Sequence, residues 1–202
     1  ETLYEECNGI PLRGPNDLVF DKEGNFWFTD LGKQREREID RGSIYWAKSD
    51  GSLIKEVIQP IMTPNGIGLS PDEKVLYVAE TEGGKLFGFD ISGEGEVQKV
   101  PFPYSIYGGK LLNDEGGIKR FDSLAVEKNG NICVGTLFNG GISVISPNGG
   151  LVEFIKFDDP YITNICFGSK DLKTAFITAS HAGHLLEVEW DREGLPLNFL
   201  NK

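Results

Sequence analysis

The sequence predicts an all-β fold, a β-propeller, on three observations. A short apolar strand opened by an oxygen-bearing side chain recurs along the chain: Asn16-Asp17-Leu18-Val19-Phe20, Asn65-Gly66-Ile67-Gly68-Leu69, Asp122-Ser123-Leu124-Ala125-Val126 and, more faintly, Thr163-Asn164-Ile165-Cys166-Phe167. The openings lie 49, 57 and 41 residues apart, a period that suits blades of four short antiparallel strands around a channel. Turn-forming clusters punctuate each copy, and no ordinary amphipathic helix interrupts them. The charged run from Lys33 to Arg41 has no apolar face and reads as a solvated loop.

Within each copy the strands follow in the same order. The opening strand meets a turn rich in Asp, Gly, Lys and Asn, at 21–25, 70–74 and 127–131. Second strands follow at Phe26–Thr29, Val75–Val78, Ile132–Gly135 and Ala175–Thr178. β-Branched and aromatic residues dominate them, as a pleated, half-buried surface requires. Third strands start from small residues, at Gly42, Gly84, Gly141 and Gly183, and outer strands such as Lys55–Ile58 and Val152–Ile155 close the blades.

Length then limits the ring. The spacings average 49, so six such blades would need about 290 residues. The 202 residues therefore read as about four blades of a six-bladed β-propeller, forming one partial domain over 1–202. Roughly ninety residues are expected to be missing, on the N-terminal side, with Leu3-Tyr4-Glu5-Glu6 as the outer strand of a preceding blade.

Composition excludes several partners. With a net charge of −11, the chain would repel phosphate backbones unless it carried a basic stripe, and its dense charge run alternates in sign. No apolar stretch approaches the ~18 residues that span a bilayer, and no leader is evident, so the expected location is cytoplasmic. Cys7, Cys133 and Cys166 form no Cys-x-x-Cys pair and read as reduced core thiols.

Residue supply excludes several chemistries as well. His181 and His184 are the only histidines; they read as an exposed turn, with no third soft ligand near. There is no Gly-x-Ser-x-Gly elbow and no phosphate loop. Asp30 and Glu80 end second strands and should accept hydrogen bonds from neighbouring loop amides.

That leaves Asn16, Asn65 and Asp122. An Asn after Pro is usually a turn residue, but first strands line a propeller's channel, so equivalent openings should converge at its mouth. Two amide oxygens and a carboxylate are hard donors suited to Ca²⁺, Mg²⁺ or Mn²⁺.

Several stretches, in order, carry a resemblance: Gly-Pro-Asn-Asp-Leu-Val-Phe-Asp (14–21), Thr-Pro-Asn-Gly-Ile-Gly-Leu-Ser-Pro-Asp (63–72), Phe-Asp-Ser-Leu-Ala-Val-Glu (121–127), Asn-Ile-Cys-Phe-Gly (164–168) and Gly-Leu-Pro-Leu-Asn-Phe (194–199). Together they resemble the senescence marker protein/gluconolactonase family, the regucalcin-like lactonases. The resemblance implies a six-bladed propeller that holds one divalent metal at the top of its channel and hydrolyses sugar lactones. The metal would be Ca²⁺ foremost, with Zn²⁺, Mg²⁺ or Mn²⁺ also compatible. By motif position Asn65 and Asp122 match the family's metal ligands, and Asn16 matches an asparagine that contacts substrate at or near the metal. The family's remaining ligand is a first-blade glutamate that precedes Glu1; Glu5 and Glu6 do not fit that role. Asp122, or a carboxylate near it, would take a proton from the attacking water. Two rivals remain: a non-catalytic calcium-binding scaffold, and a related aryl-ester or phosphotriester hydrolase. The segments 31–41 and 104–119 are expected on the metal side, the second lending Tyr104, Tyr107 and Leu111 to a substrate wall.

Overall fold

The computed structural model describes residues 2–114 and 116–200, and every regular element among them is a strand. Four antiparallel sheets follow one another along the chain. The first orders β3 (Pro15–Phe20), β4 (Phe26–Asp30), β5 (Arg41–Ala47) and β6 (Ile54–Met62). The second orders β7 (Pro64–Leu69), β8 (Val75–Glu80), β9 (Lys85–Gly93) and β10 (Glu96–Gln98). The third runs β12 (Arg120–Val126), β13 (Ile132–Leu137), β14 (Gly141–Ile145) and β15 (Leu151–Lys156). The fourth has three strands, β16 (Ile162–Gly168), β17 (Thr174–Ala179) and β18 (His184–Glu189). This is a propeller-like array of four blades in which β3, β7, β12 and β16 lie innermost, side by side along a channel.

Alternation explains why the second strands of the first three blades are buried along nearly their whole length. In β4, Trp27 packs with Ile67, Leu69 and Phe87 between the first two blades, while Phe26 and Phe28 turn the other way. In β8, Leu76 and Val78 face back to the first blade, and Tyr77 and Ala79 face on to the third. In β13, Ile132 and Val134 join the second-to-third core, and Cys133 the third-to-fourth. A period of two therefore gives each strand two apolar faces for two different interfaces. The turns after inner strands each place at least one residue at positive φ: Gly24, Glu73, Gly130, and in the fourth both Ser169 and Leu172, at φ +87, +55, +93, +65 and +54°. Only half of them use the residue best suited to it.

Four details depart from the sequence reading. Leu3–Glu6 is not an outer strand: β1 (Glu6–Cys7) and β2 (Ile10–Pro11) form a small hairpin of their own. It covers the far face of the first blade, with the Tyr4 hydroxyl donating to Lys48 O at 2.6 Å. The stretch 104–119 is not all connection. It contains β11 (Lys110–Asn113), paired with β9; Glu115 lies outside the described residues. Cys166 is exposed rather than in the core, because its strand lines the channel. Finally, residues 190–199 form an irregular strap beneath the inner strands. Leu195 N donates to Val126 O at 2.9 Å, and Asn198 Nδ2 to Phe20 O at 3.1 Å and to Glu73 Oε1 at 2.7 Å. One segment thus ties the fourth blade to the other three at the channel base. No helix long and apolar enough to cross a membrane occurs among the described residues.

Candidate active site

A β-bulge interrupts each inner strand at the same place. Pairing with the second strand skips from Pro15 to Leu18, from Pro64 to Ile67, from Phe121 to Leu124 and from Ile162 to Asn164. Asn16, Asn65, Asp122 and Thr163 are therefore equivalent, each the first residue of a bulge. Bulges re-aim side chains and concentrate beside active sites. Close approach of the inner strands also explains a glycine: a Cβ on Gly66 would lie 2.5 Å from Asp122 O and 2.8 Å from Leu124 N.

The bulges bring Asn65 and Asp122 together. The Asn65 side chain is buried and close enough to Asp122 to favour its ionised form. Its Nδ2 donates to Thr81 Oγ1 at 3.1 Å, while its backbone oxygen accepts from Thr29 Oγ1 at 2.7 Å. Asn65 Oδ1 is buried and has no hydrogen-bond partner among the described residues. Burial pushes the Asp122 pKa up to about 6, against the lowering hydrogen bonds from Asn65 and Ser123 N; the nearby Asp17 carboxylate raises it further.

Asn16 holds the matching bulge position but is exposed, beside a hollow lined by Tyr4, Leu12, Pro15, Phe26 and Phe28. Its neighbour Asp17, which sequence reasoning did not single out, links β3 to β7 beside the pair. Asp17 accepts from Ile67 N at 3.4 Å and Leu18 N at 2.9 Å, and burial raises its pKa against the lowering effect of Leu18 N, Ile67 N and Ser123. The Asn-Asp dipeptide at the strand opening was its only signal.

The second-strand carboxylates divide. Asp30 accepts from Arg13 N, Gly14 N and Gly32 N at 2.7, 2.7 and 3.0 Å, the loop-amide role expected of it. Glu80 is buried with one oxygen unpartnered among the described residues; burial raises its pKa, opposed by Lys85 and a Tyr107 hydrogen bond. Tyr107 leans edge-on against Phe87 at 5.1 Å, whereas Tyr104 and Leu111 are exposed. In the charged loop, Arg35 and Arg13 clasp Asp40 and hold its carboxyl well below the usual range. His181 and His184 are exposed, with His181 stacked on Tyr161.

Can this set hold a cation? Among the described residues no group of three or more His, Cys, Asp or Glu could do so. The donors present are instead one carboxylate, Asp122, and the orphaned Asn65 Oδ1. A buried amide oxygen without a partner costs about 1–3 kcal/mol, and a hard cation is the kind of ligand that would satisfy it beside a carboxylate. The two residues fit such an ion.

Residues 1–181 match the family model SMP-30/Gluconolactonase/LRE-like region. The chain belongs to this family. It is 29% identical over 208 residues to the diisopropyl-fluorophosphatase of Loligo vulgaris, covering 96% of this chain and 63% of that protein. It is 29% identical over 192 residues to a gluconolactonase of Zymomonas mobilis, covering 89% of this chain and 51% of the relative. Among solved structures, a calcium-binding protein, regucalcin, from Agrobacterium tumefaciens superposes with a TM-score of 0.72 at 21% identity, covering 92% of this chain and 65% of that one. The chain thus spans roughly half to two thirds of the length of these proteins, and the last comparison speaks to the fold alone.

Proposed function

We propose that the protein acts in the hydrolytic opening of sugar lactones, as a divalent-cation-dependent carboxylic ester hydrolase within a six-bladed ring. The observation that carries this reading is the buried, unpartnered Asn65 Oδ1 beside Asp122 at two equivalent bulges. Family membership and the gluconolactonase relative support the substrate class.

Asn65 and Asp122 would hold the cation, Ca²⁺ first among candidates, and Asn16 at the matching bulge would complete the oxygen donors or bind a ring hydroxyl. When bound, such an ion polarises the lactone carbonyl and stabilises the developing oxyanion. The residues of the chain handle the rest. The Asp122 carboxyl, or a carboxylate near it, would accept a proton from the attacking water. The water oxygen bonds to the acyl carbon, the ring C–O bond breaks, and the proton passes to the leaving alkoxide, so the product is a hydroxy acid. Asp17, hydrogen-bonded to Ile67 N, keeps the inner strands in register around the pair.

A second reading has its own support: the relative that covers 96% of this chain is a diisopropyl-fluorophosphatase by name, so phosphotriesters or aryl esters are alternative substrates. The test is hydrolysis of glucono-lactone, an aryl ester and a phosphotriester, each with Ca²⁺ and with EDTA. Lactone turnover abolished by EDTA and restored by Ca²⁺ is the expected result. Tight Ca²⁺ binding without turnover of any substrate would leave a calcium-binding scaffold.

A further inference from the structure

The Asn65 side chain is held by a scaffold of threonines. Thr29 Oγ1, wholly buried, donates to Asn65 O at 2.7 Å and fixes the backbone at the bulge. Thr81 Oγ1 accepts from Asn65 Nδ2 at 3.1 Å. Thr81 lies in the turn after β8, and Thr63 in turn holds that turn: Thr81 N donates to Thr63 O at 3.1 Å and Glu82 N to Thr63 Oγ1 at 3.0 Å. Thr63 is itself buried at φ +37°, a backbone conformation rare for a β-branched residue and characteristic of sites whose geometry the surroundings impose.

This arrangement bears on which end of the Asn65 amide is presented to a ligand. An amide has two donors on nitrogen and one acceptor oxygen. In the structure Nδ2 donates to Thr81 Oγ1, and Oδ1 has no partner among the described residues. With a cation at Asp122, Thr81 would be the acceptor that keeps nitrogen turned aside. Without it, the amide could rotate by half a turn and direct N–H groups at the ion, an arrangement that repels it.

We propose that Thr81 is a positioning residue: held by Thr63, it orients the Asn65 amide so that Oδ1 is the end left free for a divalent cation. The inference rests on the cation reading proposed above, so its test uses two readouts. Ca²⁺ affinity is measured by calorimetry in the wild-type protein, in T81V, which keeps the shape and removes the acceptor, and in T81S, which restores it. Hydrogen exchange of the Asn65 Nδ2 protons is followed by NMR in the same three proteins without metal. T81V should bind Ca²⁺ about 10- to 100-fold more weakly, as removal of a group that orients a metal ligand does. Its Nδ2 protons should exchange about fivefold faster, the equivalent of one ordinary hydrogen bond. T81S should match wild type in both, and all three should melt together. Unchanged exchange in T81V would overturn the orienting role. Faster exchange with unchanged Ca²⁺ affinity would show that the held amide does not serve the cation. If the wild-type protein itself binds no Ca²⁺, the cation reading fails and this role fails with it, whatever the exchange data.

Discussion

Glu127, at the base of the strand that carries Asp122 at its top, makes a quantitative test of how the strap holds the blades. Its side chain is fully buried. Oε1 accepts from Trp190 Nε1 and Arg192 Nε, both at 2.8 Å, and Oε2 accepts from Arg192 Nε at 2.8 Å and Asn131 Nδ2 at 2.9 Å. Replacement by Gln keeps the volume, removes the charge and turns an amide N–H₂ toward donors on one side or the other. Breaking a buried ion pair costs about 3–5 kcal/mol. The Arg192 side chain is 28% exposed and also pairs with Glu153, so the low end, ~3 kcal/mol, is expected. In a domain of this size ~1 kcal/mol moves Tm by about 2–4 °C, and E127Q should therefore melt about 6–12 °C lower at pH 7.

The pH dependence has a definite sign. Burial pushes the Glu127 pKa up, but the bonds from Trp190, Arg192 and Asn131 outweigh it and leave the folded-state pKa below the ordinary value. A depressed carboxyl contributes stability above its unfolded pKa and loses it as pH falls through the folded one. The gap between wild type and E127Q should thus be full at pH 7 and close below about pH 4. Urea melts at several pH values would measure it. A Tm difference under 2 °C at neutral pH, or a gap that widens on acidification, would refute the reasoning.

Three shorter expectations concern the site. D122N should lose lactone turnover and bind Ca²⁺ at least about 100-fold more weakly, since no other carboxylate is a proposed ligand; kinetics and calorimetry check this, and retained turnover counts against the proposed role. G66A should be destabilised by about 1–3 kcal/mol, because the new methyl would sit 2.5 Å from Asp122 O; a denaturant midpoint equal to wild type would mean that β7 and β12 are not so closely apposed. T29V leaves the buried Asn65 carbonyl without its hydroxyl donor and should cost about 1–3 kcal/mol, read in the same urea assay.

Local pattern carried much of this architecture. The alternation of β4, β8 and β13 is a property of neighbouring residues, so strand positions were legible in the sequence, as were the turn clusters between them. The equivalence of Asn16, Asn65 and Asp122 was legible for the same reason: each opens a strand after a fixed rhythm, and each proved to start a bulge. The strand β11 was not, because Lys110–Asn113 pairs with the outer side of β9 and its short run carries no rhythm of its own.

By itself, then, the sequence determined the fold class, the inner strands and the residues at their openings, because period and side-chain chemistry act over a few positions. Only tertiary structure decided which of those residues meet. Asp17 accepts from Ile67 N and lies near enough to raise the Asp122 pKa, a contact between inner strands 50 residues apart. The support for Asn65 from Thr29 and Thr81, 36 and 16 residues away, and the clasp of Glu127 by Trp190 and Arg192, 63 and 65 residues away, arise from blade-to-blade packing. Such contacts depend on sheet twist and strand register across the whole array, which no local window of sequence encodes.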